Sequence, residues 1–229
     1  MSNSPIMKTS VARKVAMALS ALFLLVFLLQ HFTINFTSIF SADTFNDLSH
    51  FMGTNPVVQY VFQPILIFGV IFHFVMGFIL EARNKGARDV KYVKYSGGAS
   101  ASWFSRNMIW SGLAILAFLG LHFYDFWIPE ITTKFVNGDW TGTVEGVEGL
   151  RYHHELQLKF VDPIRVGLYC VAFVLLSMHL LHGFTSSFQS LGANNKYTKG
   201  ILKKFAIAYS ILIPLGFIVI ALYHHFNIH

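Results

Sequence analysis

The chain has 229 residues, of which 54% are hydrophobic and only 12% are charged, and its mean hydropathy is +0.54. This composition is too apolar for an ordinary soluble domain and indicates an integral membrane protein. The net charge of +6 is not accompanied by any nucleic-acid-binding motif, so we expect no nucleic acid partner. The single cysteine, Cys170, excludes an internal disulfide, a cysteine-rich metal cluster and the covalent attachment motif of c-type haem.

Five apolar stretches are long enough to cross a bilayer as helices, which takes about 20 residues. We therefore predict an all-α membrane protein with a single domain over residues 1–229. Pro214 predicts a kink or local repacking in the last helix. We identify no sequence repeat among the helices, which are expected at residues 12–36, 57–82, 103–127, 163–189 and 203–226.

The basic residues indicate an orientation. Thirteen of the 17 Lys and Arg residues lie on one predicted side of the bilayer, in the N-terminal segment, the loop between the second and third helices, and the region where the fifth begins. By the positive-inside rule the N-terminus is expected in the cytoplasm and, after five spans, the C-terminus outside. The first helix has the basic flank of a signal peptide. Its apolar run is too long and lacks a small-residue cleavage site, so we expect the helix to be retained.

Four histidines lie deep within four different predicted helices. A polar side chain at membrane depth costs a few kcal/mol, so each of these histidines is a functional hypothesis. At about 1.5 Å per residue, His31 lies roughly 27 Å beyond Arg13 and His122 roughly 24 Å beyond Arg106, both towards the outer side. His73 and His179 each lie about 15 Å from the inner ends of their helices. The depths thus predict an outer pair, His31 and His122, and an inner pair, His73 and His179.

Two pairs of imidazoles at two depths are the arrangement that holds two planar, six-coordinate haems between facing helices. The sequence therefore predicts two noncovalent haem b groups inside a four-helix haem-binding bundle, with the fifth helix outside it. An iron with two histidine ligands has no open position for oxygen, which favours electron transfer as the function.

Glycines four residues from the inner histidines could leave room for a macrocycle. Gly69 and Gly77 flank His73, and Gly183 follows His179 at the same spacing. The alternative is that these glycines only allow the helices to approach each other, since glycine is common in membrane helices.

Other polar residues near these helices are candidates for binding haem propionates or supporting the ligands. His182 shares a helix face with His179, so either could bind iron. For the cations the alternative is topology and snorkelling, although Arg165 departs from the charge bias. The candidates are His182, Arg13, Ser20, Arg106 and Arg165.

A quinone pocket is predicted beside the outer haem, from Gln30, Asp125 and Trp127. The alternative for its aromatic residues is the belt of Trp and Tyr at a membrane interface. We expect the remaining histidines to be solvated at or outside the interface: His50, His153, His154, His224, His225 and His229.

Over all five helices the chain resembles the single-subunit, di-haem cytochrome b membrane anchor of succinate dehydrogenase and fumarate reductase. In that family the first histidine of the fourth-helix motif is the ligand, which favours His179 over His182. The resemblance rests on Gln30-His31, Phe72-His73-Phe74, Ser105-Arg106-Asn107-Met108 leading to His122, and His179-Leu180-Leu181-His182-Gly183-Phe184.

The resemblance implies a non-flavin subunit of a succinate:quinone oxidoreductase in a bacterial cytoplasmic membrane. Its partners would be a flavoprotein, an iron–sulfur subunit on the inner face, and menaquinone or another quinone, in a complex that can itself form oligomers. The fourth helix has Ser177-Met178 before its first histidine, without a carboxylate, so no proton path through that helix is evident. We expect the iron–sulfur subunit to dock on the inner loop containing Arg83, Lys85, Arg88, Lys91 and Lys94.

Two alternatives compete with this function. Cytochrome b subunits of hydrogenases and formate dehydrogenases also hold haems between histidines, but their histidines are distributed differently among the helices. A polytopic membrane protein without redox function, such as a transporter with buried polar residues, is the other alternative.

Overall fold

The computed structural model describes residues 10–86, 108–193 and 197–227. These residues form helices without any strand, and five of the helices are long and apolar enough to cross a membrane, as predicted. The helices are α1 (Ser10–Thr37), α2 (Ala42–Thr54), α3 (Gln63–Gly86), α4 (Met108–His122), α5 (Tyr152–Lys159), α6 (Pro163–Ser190) and α7 (Lys199–Phe226).

Four of the long helices form a closed ring. Helix α1 packs against α3 and α6, and α4 packs against the same two neighbours. Helix α7 lies outside the ring, against α6 and α1, and is continuous through Pro214. The Tyr209 hydroxyl donates to the Leu25 carbonyl at 2.6 Å, which joins α7 to α1. The prediction of a four-helix bundle with a fifth helix beside it is confirmed.

Burial is uneven around the ring. The hydrophobic core lies mainly between α1, α6 and α7, where Ala221 is fully buried and the rings of Phe173 and Phe217 stack 5.2 Å apart. Burial is lower on α3 and α4. Met76 is a buried residue of α3, but α4 has no buried residue over Met108–His122. The side chains of α3 and α4 therefore face lipid or an internal space.

All five long helices extend at least one residue beyond a predicted end, and two of them contain π-helical turns. A π-helical turn, Val58–Phe62, precedes α3, and a second one, Phe123–Trp127, continues α4. Beyond Trp127 the helix continues through Ile128–Ile131 and a third π-helical turn, Thr132–Val136, where a loop is predicted from the sequence. Because a π turn contains one extra residue, it rotates the side chains that follow it, and such turns are frequent at functional sites.

A cap covers the end of the bundle where α1, α4 and α7 finish. It consists of α2, the loop at residues 137–151, and α5. Sequence analysis missed α2, whose N-cap Ser41 accepts a hydrogen bond from the Thr44 N–H at 3.1 Å. The Asn46 side chain joins the parts, donating to the Leu150 carbonyl at 2.9 Å and accepting from the His153 N–H at 2.8 Å.

A buried ion network holds this cap to α4. Lys134 is 1% exposed, forms a salt bridge with Glu130, and donates to the Gly53 carbonyl at 2.5 Å. Arg151 contacts Glu130 at 2.5 Å and Glu155 at 2.6 Å. Burial alone would lower the pKa of Arg151, but the hydrogen bonds to the two carboxylates outweigh it and raise the pKa.

The prediction that the outlying histidines are solvated is wrong for His224. Its side chain is 1% exposed, because the end of α7 packs beneath the cap, and its Nε2 lies 2.9 Å from the Ser38 hydroxyl. Half-buried His153 contacts the Ser38 carbonyl at 3.2 Å. His154 is exposed, as expected. His50 and His225 are half-buried and hydrogen-bonded, and His229 lies outside the described residues.

Candidate functional site

The four-helix ring encloses a cavity of about 2020 Å³ that is lined by all four deep histidines. Pockets for one drug-sized ligand are about 300–1,000 Å³. The cavity therefore has room for more than one ligand of that size.

The histidines meet in the two pairs that their depths predict. The rings of His31 and His122 have centres 5.7 Å apart and are nearly perpendicular, at 85°. Those of His73 and His179 have centres 6.5 Å apart at 69°. We call the first the cap-side pair and the second the basal pair. Each pair links two helices of the ring, α1 with α4 and α3 with α6.

The two pairs lie at separate levels of the cavity. On α1, Ser20 contacts the basal pair and His31 belongs to the cap-side pair. At about 1.5 Å per residue, these two positions are roughly 16 Å apart along the helix. The site therefore consists of two separate two-histidine centres.

A serine hydroxyl contacts each basal histidine. The Ser20 Oγ lies 3.1 Å from the His73 Nδ1, and the Ser111 Oγ lies 3.1 Å from the His179 Nδ1. Sequence analysis had proposed Ser20 for a propionate or for supporting a ligand, and the structure places it on a histidine. Ser111 was not predicted.

The cap-side histidines have aromatic neighbours instead. Phe27 stacks on His31 at 5.5 Å and Phe118 on His122 at 5.9 Å. The Asn35 amide donates to the His31 carbonyl at 2.8 Å and lies 3.4 Å from its Nδ1. The His122 Nδ1 is buried and has no hydrogen-bond partner among the described residues.

These contacts reveal a repeat that the sequence analysis missed. Residues 17–31 of α1 and 108–122 of α4 are identical at seven of 15 positions. The matching positions include the serine, the stacked phenylalanine and the histidine in the same register, which would have pointed to Ser111. The seven are Met17 and Met108, Ser20 and Ser111, Leu22 and Leu113, Leu25 and Leu116, Phe27 and Phe118, Leu28 and Leu119, and His31 and His122.

The predicted glycines do not share one environment. Gly77 and Gly183 line the cavity, as does Gly112, where an added Cβ would lie 3.8 Å from the His179 ring. Gly69 instead accommodates a side chain of α1, because a Cβ there would lie only 2.7 Å from the Phe23 ring. Gly69 therefore allows helix packing, which was the alternative interpretation.

Arg165 forms an ion pair with another predicted site residue. Its Nη1 lies 3.5 Å from the Asp125 Oδ1, and the Tyr169 hydroxyl donates to the Asp125 Oδ2 at 2.8 Å. Asp125 belongs to the π-helical turn of α4, is 1% exposed and lines the cavity near the cap-side pair. A carboxylate, a guanidinium and a phenol thus meet at this end of the cavity.

The other predicted residues are more dispersed. Gln30 lines the cavity and lies 3.5 Å from the Met52 sulfur, and Trp127 also lines it but is 37% exposed. His182 is half-buried along the cavity, whereas His179 is the α6 histidine that contacts the His73 ring. Half-buried Arg13 lies near the start of α1. Arg106, Arg88, Lys91 and Lys94 lie outside the described residues.

The donor set restricts which metals the site could hold. Within residues 10–86, 108–193 and 197–227, no group of three or more His, Cys, Asp or Glu side chains is arranged around a metal position. Two imidazoles can hold a metal firmly only if something else supplies its remaining ligands, as a porphyrin does.

Comparisons with protein-family models, curated proteins and solved structures found no match to the chain.

Proposed function

We propose that this chain is the membrane-anchor subunit of a succinate:quinone oxidoreductase and holds two haem b groups. The observation that supports it best is the presence of two histidine pairs at two levels of one cavity. Metal–imidazole bonds are about 2 Å long, so two rings on opposite sides of one metal have centres about 6 Å apart. The separations of 5.7 and 6.5 Å fit that spacing.

When bound, each haem supplies a one-electron iron couple. His31 and His122 would hold the cap-side group, and His73 and His179 the basal one. With two histidines bound to it, the iron of each group would have no open position for oxygen. Apolar residues of α3 and α4 line the cavity, as do Gly77 and Gly183 beside the basal pair.

Succinate chemistry is assigned to partner subunits. The sequence has no glycine-rich nucleotide-binding loop and too few cysteines for an iron–sulfur cluster. The iron–sulfur subunit is assigned to the basal end, where the basic loop after Arg83 supplies charge for docking. The same charge bias supports an orientation with this end in the cytoplasm and the cap outside. The bacterial cytoplasmic membrane is what the family resemblance implies.

A quinone is assigned to the cap-side end of the cavity. Asp125, Arg165 and Tyr169 provide hydrogen-bonding groups there, and Gln30 and Trp127 line the same space. Menaquinone is the substrate that the family resemblance implies, and another quinone would use the same groups.

The deciding experiment is a haem determination on the purified complex. We expect two haem b per chain by pyridine haemochrome assay, an α-band in the reduced-minus-oxidised spectrum, and reduction of both haems by succinate. The chain expressed alone should retain both haems without responding to succinate. One haem or fewer per chain in the complex would overturn the proposal.

A charge-reversal variant tests the partner. Changing Arg83, Lys85 and Arg88 to Glu should release the soluble subunits at physiological salt while both haems remain. Lys159→Glu, at the cap end, is the matched control and should leave the complex intact. Normal succinate-dependent reduction in the triple variant would place the docking surface elsewhere.

A further inference from the structure

Each basal histidine shares its serine with a backbone carbonyl. The Ser20 Oγ lies 2.8 Å from the Met17 carbonyl oxygen as well as 3.1 Å from the His73 Nδ1. The Ser111 Oγ lies 3.0 Å from the carbonyl oxygen of Met108, again as well as 3.1 Å from a histidine Nδ1. Both hydroxyls thus make the same two contacts.

Counting protons fixes the direction of these hydrogen bonds. A hydroxyl has one proton, and a backbone carbonyl can only accept. The proton of Ser20 therefore goes to its carbonyl, and the Nδ1–H of His73 donates to the Ser20 oxygen. The same holds for Ser111 and His179. Both basal imidazoles are thereby held as the Nδ1–H tautomer, which leaves Nε2 with the lone pair that a metal needs.

The surroundings of this contact are also built twice. Met17 and Met108, which supply the two carbonyls, extend their terminal methyl groups towards α3 and α6. A Cβ on Gly77 would lie 3.8 Å from the Met17 Cε, and one on Gly183 would lie 3.7 Å from the Met108 Cε. Two independent copies of one arrangement, on two pairs of helices, argue against a chance contact.

The cap-side histidines are the internal comparison. The amide of Asn35 already donates to the His31 carbonyl, and the His122 Nδ1 has no partner among the described residues. Among the described residues, the hydroxyls that contact a deep histidine therefore contact the basal pair. A partner on the second nitrogen of a ligand histidine orients the ring and makes it a stronger electron donor.

We propose that Ser20 and Ser111 are positioning residues of the basal centre that hold His73 and His179 and lower the midpoint potential of the metal bound there. The inference rests on the proposed function, since it concerns the haem assigned to these histidines. Stronger donation from an imidazole stabilises the oxidised iron, so removing either hydroxyl should raise the potential of the basal centre alone.

The test is a redox titration of both haems in the purified complex. Ser20→Ala and Ser111→Ala should each raise the basal midpoint potential, the double variant should raise it further, and the cap-side potential should not move. The basal centre is identified as the one missing from His73→Ala. Ser210→Ala is the matched control, because Ser210 is a buried serine on α7 and does not line the cavity.

Conservative variants separate a lost hydrogen bond from general damage. Threonine can make the same carbonyl bond within a helix, so Ser20→Thr and Ser111→Thr should keep the wild-type potential. The corresponding cysteine variants, whose sulfur is only a weak acceptor for the Nδ1–H, should have potentials between those of the threonine and alanine variants. If an alanine variant loses the basal haem, the midpoint potentials of the threonine and cysteine variants test the inference instead. The potential of the cysteine variant should then be higher than that of the threonine variant.

Three results would overturn the inference: unchanged potentials in all serine variants, equal shifts in both centres, or threonine variants that behave like alanine. In each case a wild-type complex with two haems would leave the proposed function standing. A wild-type complex without haem would overturn both.

Discussion

The basal and cap-side pairs have the same ligand type and similar ring separations but different surroundings. Serine hydroxyls contact the Nδ1 atoms of the basal pair, whereas phenylalanine rings stack on the cap-side pair and the His122 Nδ1 is unpartnered in the described structure. The cap-side pair also lies near the ion pair of Asp125 and Arg165. Helix packing thus sets the spacing within both pairs, while local polar contacts make the two centres different.

The largest expected effect is the loss of one haem when a ligand is removed. His73→Ala or His179→Ala should remove the basal haem, and His31→Ala or His122→Ala the cap-side haem, because the one remaining imidazole of the pair would not hold the group. The measurement is haem per chain and the spectrum of the remaining centre. His182→Ala should keep two haems. If it lost the basal haem while His179→Ala did not, the ligand assignment in α6 would be wrong.

A smaller effect should follow from opening the cap. Lys134→Met removes a buried cation and leaves the Gly53 carbonyl without its donor. Glu130 keeps its salt bridge with Arg151, so we expect the free energy of unfolding to fall by about 2 kcal/mol. This is less than the 3–5 kcal/mol typical of a broken buried pair. The cap-side haem should dissociate at a lower temperature, with little change at the basal centre. Lys159→Met, on the same cap, is the control. Equal loss from both centres would contradict a local role.

The two centres should also differ in midpoint potential. The segment that joins α3 to α4 at the basal end is basic in sequence, whereas the loop of the cap at residues 137–151 is acidic. Positive charge favours reduced iron, so charge predicts the higher potential at the basal centre. The basal serines act in the opposite direction, so their removal should widen the gap. A titration combined with the ligand variants tests the order, and a higher potential for the centre held by His31 and His122 would refute it.

The smallest expected effect is a pH dependence confined to the cap. Burial, and then the Glu130 carboxylate, raise the pKa of Tyr152 from 10.0 to about 12. Because the pKa of Tyr152 is raised in the folded state, its contribution to the stability of the cap is fully present below pH 10. That contribution is lost as the pH rises to about 12. Since Tyr152 is only half-buried, the contribution is about 1 kcal/mol. Tyr152→Phe should remove this fall, as measured by the temperature at which the cap-side haem dissociates. An unchanged pH profile would exclude Tyr152 as its source.

Sequence reasoning predicted the features that depend on hydropathy and helical spacing. The five spans are confirmed, and depth along the helices predicted which histidines meet. That the pairs hold haem stays a prediction. The shorter elements were missed for physical reasons: α2 depends on its Ser41 cap and on packing against α5, and neither produces a strong apolar pattern.

Contacts between distant residues were harder to predict than helices. Ser111 and the ion pair of Arg165 with Asp125 depend on how helices are rotated about their axes. The π-helical turn after His122 alters that rotation by one residue. His224 is expected to be solvated because it lies at or outside the membrane interface, but its burial is set by the cap above it. Only the repeated spacing of serine and histidine in α1 and α4 was available from the sequence.

The connectivity of the histidine pairs has a consequence for biosynthesis. Each pair joins the first half of the chain, α1 and α3, to the second half, α4 and α6. Neither half contains a complete pair, so helices inserted in chain order assemble the cap-side pair when α4 enters the membrane. The basal pair is assembled only when α6 follows. A nascent chain halted after α4 would therefore contain both histidines of one pair only, and it is the pair that Ser20 and Ser111 do not contact.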